Sequence, residues 1–287
     1  MYTAYKYSRW AERILALQGE DGLWGNFHTL SQPDPKRPLT TEQALRRLYR
    51  LGYTLEDPPI QRAVAYMQDC LAGRRTMPDR REKLHNWELF TKLMLSTWVR
   101  IFTAEDANAN QVAQQWAEVI GSSFMEGQYD QGRYTAAYTC VFGIPPRGGR
   151  LVDFVSFYQV SLLSGERFWD TQTEQAYFRH LLTHPDGIYY LSTGCLSNLP
   201  GRFDSIAASR YLGGIELLAG YTRCLDRLQF VRRWLLDSRG EDGQWDMGPK
   251  VRDGVYFPLS DSWRRADDRK RDCSYRIEKL LQKLTPL

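Results

Sequence analysis

The sequence predicts an all-α protein, and three observations carry that prediction. The phrase Gly19-Glu20-Asp21-Gly22-Leu23-Trp24 returns near the other end as Gly240-Glu241-Asp242-Gly243-Gln244-Trp245. Apolar residues recur at helical spacing on both sides of each copy. Few stretches alternate with a period of two, so strands are minor at most. Matched phrases so far apart mark one structural unit repeated along the chain, and a repeat constrains a fold before local propensity does.

Weaker copies are expected between the two strong ones, at Gly73, Gly127 and Gly187. The steps from Gly22 to Gly243 are then 51, 54, 60 and 56 residues. An aromatic residue stands two places after Gly22, Gly127, Gly187 and Gly243, whereas Gly73 is followed by Arg75.

A helix is predicted before each glycine, over roughly 3–18, 58–71, 107–124, 171–183 and 224–238. A second follows each, over roughly 39–51, 85–101, 151–164, 205–219 and 272–284. In this second set Leu45, Leu48 and Leu51 lie at helical spacing, as do Leu89, Leu93, Trp98 and Ile101, and Ile277, Leu280, Leu281 and Leu284. Thr40-Thr41-Glu42, Asp204-Ser205 and Asp272 read as helix caps. Gly52, Gly165 and Gly220 stand where helices stop. Five helix pairs can close a ring, with the first helix against the last. No linker rich in Gly, Ser or charge divides residues 1–287, so a single domain is expected.

The stretch Ile14-x-x-x-Gln18-x-x-x-Gly22-x-Trp24 resembles the QW motif of squalene and terpene cyclases. Trp234-Leu235 with Gly243-x-Trp245 resembles a second copy, with Arg239 in place of the glutamine. The superfamily so implied includes these cyclases and the protein prenyltransferases. The resemblance implies an α/α toroid of about five helix hairpins, in which the second set of helices lines a central cavity. The motif speaks for fold rather than activity, because glycine permits the tight turn and tryptophan packs it.

The family's catalytic motifs are not matched. The Asp-x-Asp-Asp acid of squalene-type cyclases has no counterpart, and Asp267-Asp268 lies in a charged loop. Asp272-Cys273 resembles the Asp-x-Cys zinc pair of prenyltransferases but is one residue short, and no histidine follows it. Asp272 is therefore read as a plain helix cap, and no metal or cofactor is expected. His180 and His184, four apart on a helix before Pro185, read as surface histidines.

Ring geometry supplies other candidates. In a toroid the N-termini of the inner helices gather at one mouth, where their dipoles favour anionic groups. Thr41, Glu42, Ser205, Ser209, Asp272 and Arg276 fall there. The residues expected to do chemistry are Asp153, His85 and Glu88. Asp153 sits among Leu151, Val152, Phe154 and Val155, where an isolated carboxylate acts as an acid. His85 and Glu88 share a helix face. Trp87, Tyr158, Arg210 and Tyr275 are the expected substrate contacts. Aromatic residues on the second set of helices suit a flexible hydrocarbon, and ring faces stabilise carbocations.

Composition fits these expectations. Aromatic residues make up 13% of the chain, generous enough for a large apolar interior, and the net charge is only +4. Acids interrupt the basic run Arg264 to Arg271, so nucleic acid is not an expected partner. The opening Met1–Lys6 lacks the apolar segment of a signal peptide, and no apolar run is long enough to cross a bilayer. Five scattered cysteines favour reduced thiols, which places the expected location in the cytoplasm.

The functional expectation is an enzyme acting on an isoprenoid or other apolar substrate in a central cavity. Alternatives are a non-catalytic toroid that binds a ligand or partner, or a carbohydrate-active α/α barrel using Glu88 and Asp153. The oligomeric state is not legible.

Overall fold

The structure, a computed structural model, describes residues 5–33, 35–82, 86–147 and 154–285. Helix α1 (Arg9–Leu15) precedes the first Gly-x-Trp turn and α2 (Thr41–Arg50) follows it. Helices α3 (Pro58–Leu71), α4 (Trp87–Phe102), α5 (Ala107–Ser122) and α6 (Gln131–Phe142) come next. They are followed by α7 (Phe157–Leu162), α8 (Thr171–Thr183) and α9 (Ile206–Leu218). Helices α10 (Gln229–Asp237) and α11 (Ala266–Leu284) flank the second Gly-x-Trp turn. The one sheet among the described residues is a hairpin, β1 (Phe124–Met125) against β2 (Gln128–Tyr129). The all-α class holds, and among the described residues no helix is long and apolar enough to cross a membrane.

The two strong copies of the repeated phrase build the same turn. In the first, Gly19 N donates to Leu23 O at 2.8 Å, Gly22 N to Gly19 O at 2.9 Å, and Leu23 N to Asp21 Oδ1 at 3.1 Å. In the second, Gly240 N donates to Gln244 O at 2.8 Å, Gly243 N to Gly240 O at 2.9 Å, and Gln244 N to Asp242 Oδ1 at 3.1 Å. Gln18 reaches Gly22 O at 2.8 Å, and Arg239 reaches Gly243 O at 2.5 Å, so arginine replaces glutamine without loss of the bond. Each turn is then pinned to the helix that follows it. Thr41 Oγ1 accepts from Trp24 N and Ser274 Oγ accepts from Trp245 N, both at 3.0 Å.

The three weaker copies do not make this turn. Gly127 forms a two-residue hairpin loop with Glu126, both at positive φ, which is the geometry that matches strand twist. Gly187 leads into a parallel bridge between Ser156 and Tyr189. Gly73 simply ends α3.

Helix boundaries differ from expectation where tertiary contacts outweigh periodicity. Helices α3 and α8 run as predicted. The 224–238 segment is a 3-10 turn, Thr222–Leu228, before α10. The 151–164 helix is reduced to α7, and residues 151–153 lie outside the described ones. Helix α6 was not anticipated, because only Tyr134 and Tyr138 of its residues are buried. Helix α11 starts at Ala266, earlier than predicted, through a charged, largely exposed first stretch.

Burial sorts the helices into two kinds. All six residues of α7 are buried, as are Leu93 to Val99 of α4 and eight residues of α9. Helices α3 and α10 bury one stripe, Ile60, Ala63, Val64 and Met67 in the first, Val231 and Leu235 in the second. A helix buried all round lies inside the molecule, and an amphipathic one faces water. The buried apolar residues form one continuous cluster.

Candidate functional site

The first Gly-x-Trp turn places a short loop over the start of α2. Trp24 and Phe27 are fully buried, and the Asp79 carboxylate accepts from the backbone N of Phe27 at 2.5 Å and of His28 at 2.7 Å. Thr40 caps α2 in a reciprocal box with Gln43. These contacts fix His28 and Glu42 side by side at the loop–helix junction.

Glu42 is fully buried and accepts from three donors. Trp98 Nε1 reaches Oε1 at 2.6 Å, Thr29 N reaches Oε2 at 2.7 Å, and the Tyr158 hydroxyl lies 2.9 and 3.0 Å from the two oxygens. Burial first, and the Glu42 charge second, push the Tyr158 phenol well above its ordinary pKa, so it remains a donor. Trp98 comes from α4 and Tyr158 from α7, so one carboxylate ties three helices together.

His28 is 2% exposed, yet neither Nδ1 nor Nε2 has a hydrogen-bond partner among the described residues. Its ring meets Phe90 edge-on at 5.3 Å and Tyr190 edge-on at 5.6 Å, with Tyr158 tilted at 6.4 Å. Tyr190 is held in place by backbone bonds from Phe157 N to Tyr189 O and from Tyr189 N to Val155 O. Its φ of 66° is rare for a bulky side chain and stores strain, a cost that clusters at working sites. The result is a buried aromatic corner around an imidazole that bonds none of the described residues.

A second polar cluster fills the region where α2, α9 and α11 meet. Glu216 accepts from Arg50 Nη1 and Arg276 Nε, each at 2.5 Å. Arg276 also donates to Ser209 Oγ at 2.7 Å and Ser209 O at 2.9 Å. Tyr256 lies between the two arginines, with guanidinium carbons 4.0 Å (Arg276) and 4.8 Å (Arg50) from its ring centre. Arg47 donates to Val255 O and Pro258 O, which binds the same loop to α2, and burial draws its pKa down to about 10.

The predicted site residues are dispersed. Tyr158 sits in the Glu42 cluster, and Trp87 packs on Phe90 at 5.9 Å beside it. Glu88 is exposed on the first turn of α4, and Arg210 is exposed on α9. Tyr275 is half-buried against Tyr5 at 5.1 Å, apart from the His28 corner. His85 and Asp153 lie outside the described residues. His28 escaped the sequence reading because a loop residue has no periodicity. The signal that could have found it is the Asn26-Phe27-His28 run directly after the first turn.

Asp272 is not a helix cap. It lies inside α11, fully buried, and its Oδ2 accepts from Leu259 N at 2.7 Å, Ser260 N at 2.9 Å, Ser260 Oγ at 2.9 Å and Trp263 Nε1 at 2.6 Å. It therefore caps the preceding loop rather than its own helix. Cys273 is fully buried beside it, and burial pushes its thiol up to about 12. His180 is half-buried, not a surface group, with Tyr129 at 4.8 Å and Phe154 at 5.3 Å. Among the described residues no group of three or more His, Cys, Asp and Glu is placed to hold a metal ion.

Comparison with known protein families, with curated proteins and with solved structures gives no match to the chain.

Proposed function

We propose that the chain is an α/α toroid that binds a small, largely apolar ligand at the His28 corner. A ring is supported by contacts that run in order through the buried helices. Glu42 joins α2 to α4 and α7, and α7 packs on α9. Arg276 of α11 bonds Ser209 and Glu216 of α9, and Arg50 of α2 bonds Glu216.

The observation that carries the binding role is the pair of unpartnered nitrogens on His28. A buried polar group without a partner costs about 1–3 kcal/mol, a cost that stability alone gives no reason to keep. A neutral imidazole offers one donor and one acceptor. Phe90, Tyr158 and Tyr190 around it favour a ligand that is apolar apart from one hydroxyl or carbonyl. An isoprenoid enzyme with a wide central cavity has less support, because Arg50, Glu216, Arg276 and Tyr256 occupy the meeting point of α2, α9 and α11. The carbohydrate reading has less still, with Glu88 exposed on the surface.

The test is thermal melting of wild type and His28→Leu with increasing farnesol, an apolar alcohol. Without ligand the variant should melt at or above the wild-type temperature. Farnesol should raise the wild-type midpoint in a saturable way and leave the variant unmoved. Equal shifts in both proteins, or none in either, would overturn the proposal.

A further inference from the structure

Away from the His28 corner, three arginines converge on one cleft with no counter-ion among the described residues. The cleft, about 530 Å³, is lined by Arg9, Arg252, Ser262, Trp263 and Arg264. It lies where the start of α1 meets the loop before α11. Arg9 N donates to Asp261 Oδ1 at 2.7 Å and Trp10 Nε1 to Ser260 O at 2.9 Å, which fastens the two parts of the chain together. From the other side Asp272 holds Leu259 N, Ser260 and the Trp263 indole N–H. The wall carrying Ser262, Trp263 and Arg264 is thus fixed by backbone bonds on two sides and by a buried carboxylate.

The arginines of this cleft differ from the five that anchor the interior and its margins. Arg50, Arg100, Arg223, Arg269 and Arg276 each face a carboxylate. Among the described residues the guanidinium groups of Arg9, Arg252 and Arg264 make no hydrogen bond or ion pair; Arg9 rests on the Trp10 ring at 4.5 Å. Of the neighbouring acids, Asp261 accepts the Arg9 backbone N–H, and Asp253 accepts from the backbone N of Val255, Tyr256 and Phe257. Three like charges around one hollow repel one another, and an anion reverses the sign of that interaction. Guanidinium forks match oxyanions bidentately, and phosphate oxygens fit them as carboxylates do. The Ser262 hydroxyl accepts from Arg264 N at 3.2 Å, and its own proton is a fourth donor. The volume lies in the range of small-molecule sites, well beyond one phosphate.

We propose that this cleft binds a small organic ligand through a diphosphate or triphosphate group held by Arg9, Arg252 and Arg264. Trp263, whose indole N–H is taken by Asp272, gives the ligand's organic part an apolar wall. A cleft of about 530 Å³ has room for two or more linked phosphates, and each added phosphate brings oxygens for a further guanidinium.

Calorimetric titration of inorganic pyrophosphate into the intact chain tests this, with sulfate and the double variant Arg252→Gln/Arg264→Gln as comparisons. Pyrophosphate should bind the wild type at least tenfold more tightly than sulfate. It should bind the double variant at least tenfold more weakly, and wild-type affinity should fall as sodium chloride is raised. The exposed positions of both arginines let the variant fold, and its ligand-free melting temperature should equal or exceed that of wild type. Unchanged affinity in a folded variant, equal affinity for sulfate, or no binding would each overturn the proposal.

Discussion

Trp24 and Trp245 hold the same position at opposite ends of the chain. Each donates its indole N–H at 2.6 Å to a carbonyl ten residues upstream, Ile14 for the first and Leu235 for the second. Each backbone N–H is accepted by a hydroxyl of the following helix, Thr41 or Ser274. The tryptophan therefore locks the end of one helix to the body of the next. The two turns match bond for bond, but their surroundings differ. A Cβ on Gly22 would lie 2.9 Å from the backbone of Arg62 in α3, whereas one on Gly243 would first meet the flexible Arg239 guanidinium at 3.4 Å.

That difference separates two substitutions that look equivalent in sequence. Both glycines have positive φ, 87° and 78°, where a Cβ costs about 1–2 kcal/mol. Gly243→Ala should cost about that much and no more. Gly22→Ala adds a collision with helix backbone, which cannot swing away, and should lose about 3 kcal/mol in total. Urea unfolding midpoints of the two variants measure this, and equal losses would show that the α3 contact is slack.

Gly213 tests the filled interior. It sits within α9, where alanine would ordinarily gain about 1 kcal/mol of helix propensity. A Cβ there would fall 2.0 Å from the Tyr256 hydroxyl and 2.6 Å from its ring carbon. Gly213→Ala should therefore destabilise the protein, against propensity, by displacing Tyr256 from between Arg50 and Arg276. In a Tyr256→Ala background the same substitution should be neutral or stabilising, a coupling that a double-mutant cycle reads directly. Additive effects would mean that Tyr256 is not the group in the way.

These cases show what the sequence could and could not convey. The Gly-x-Trp phrase was legible because its function is local: glycine, aspartate and tryptophan bond within a few residues of themselves. Helices α3 and α8 were legible because one stripe of each is apolar. Gly127 was misread because a hairpin and a helix-ending turn ask the same positive φ of a glycine. Asp272 resembled a cap because the charged start of α11 hid the true helix end. Its partners, Ser260 and Trp263, precede it in a loop with no period to follow. At the candidate site, Tyr158 and Glu42 were visible as residues near helix starts, but their mutual hydrogen bond depends on how α2 and α7 pack. The orphaned state of His28 cannot be read from any spacing, since it is defined by the partners it lacks.

The final prediction concerns acid. Burial alone would push Glu216 up, yet the Arg276 and Arg50 guanidiniums together hold its carboxyl below the ordinary glutamate value of 4.5. A folded-state pKa below the unfolded one means that the unfolded chain takes up the proton more readily. The stability contributed by Glu216 is then fully present above about pH 4.5 and is lost as pH falls through the lower folded value. Protonation also leaves the buried Arg276 and the half-buried Arg50 without their anion, which turns an attraction into repulsion across Tyr256. Glu216→Gln imposes that condition at every pH. It should cost about 3–5 kcal/mol at neutral pH, the usual price of removing one partner from a buried ion cluster. Between pH 5 and pH 3 the wild type should fall toward the variant, so that the gap between their urea midpoints narrows steadily. A gap that stays constant through this window would mean that folding leaves the Glu216 pKa unshifted, and a gap that widens would mean that Glu216 is not ionised in the fold.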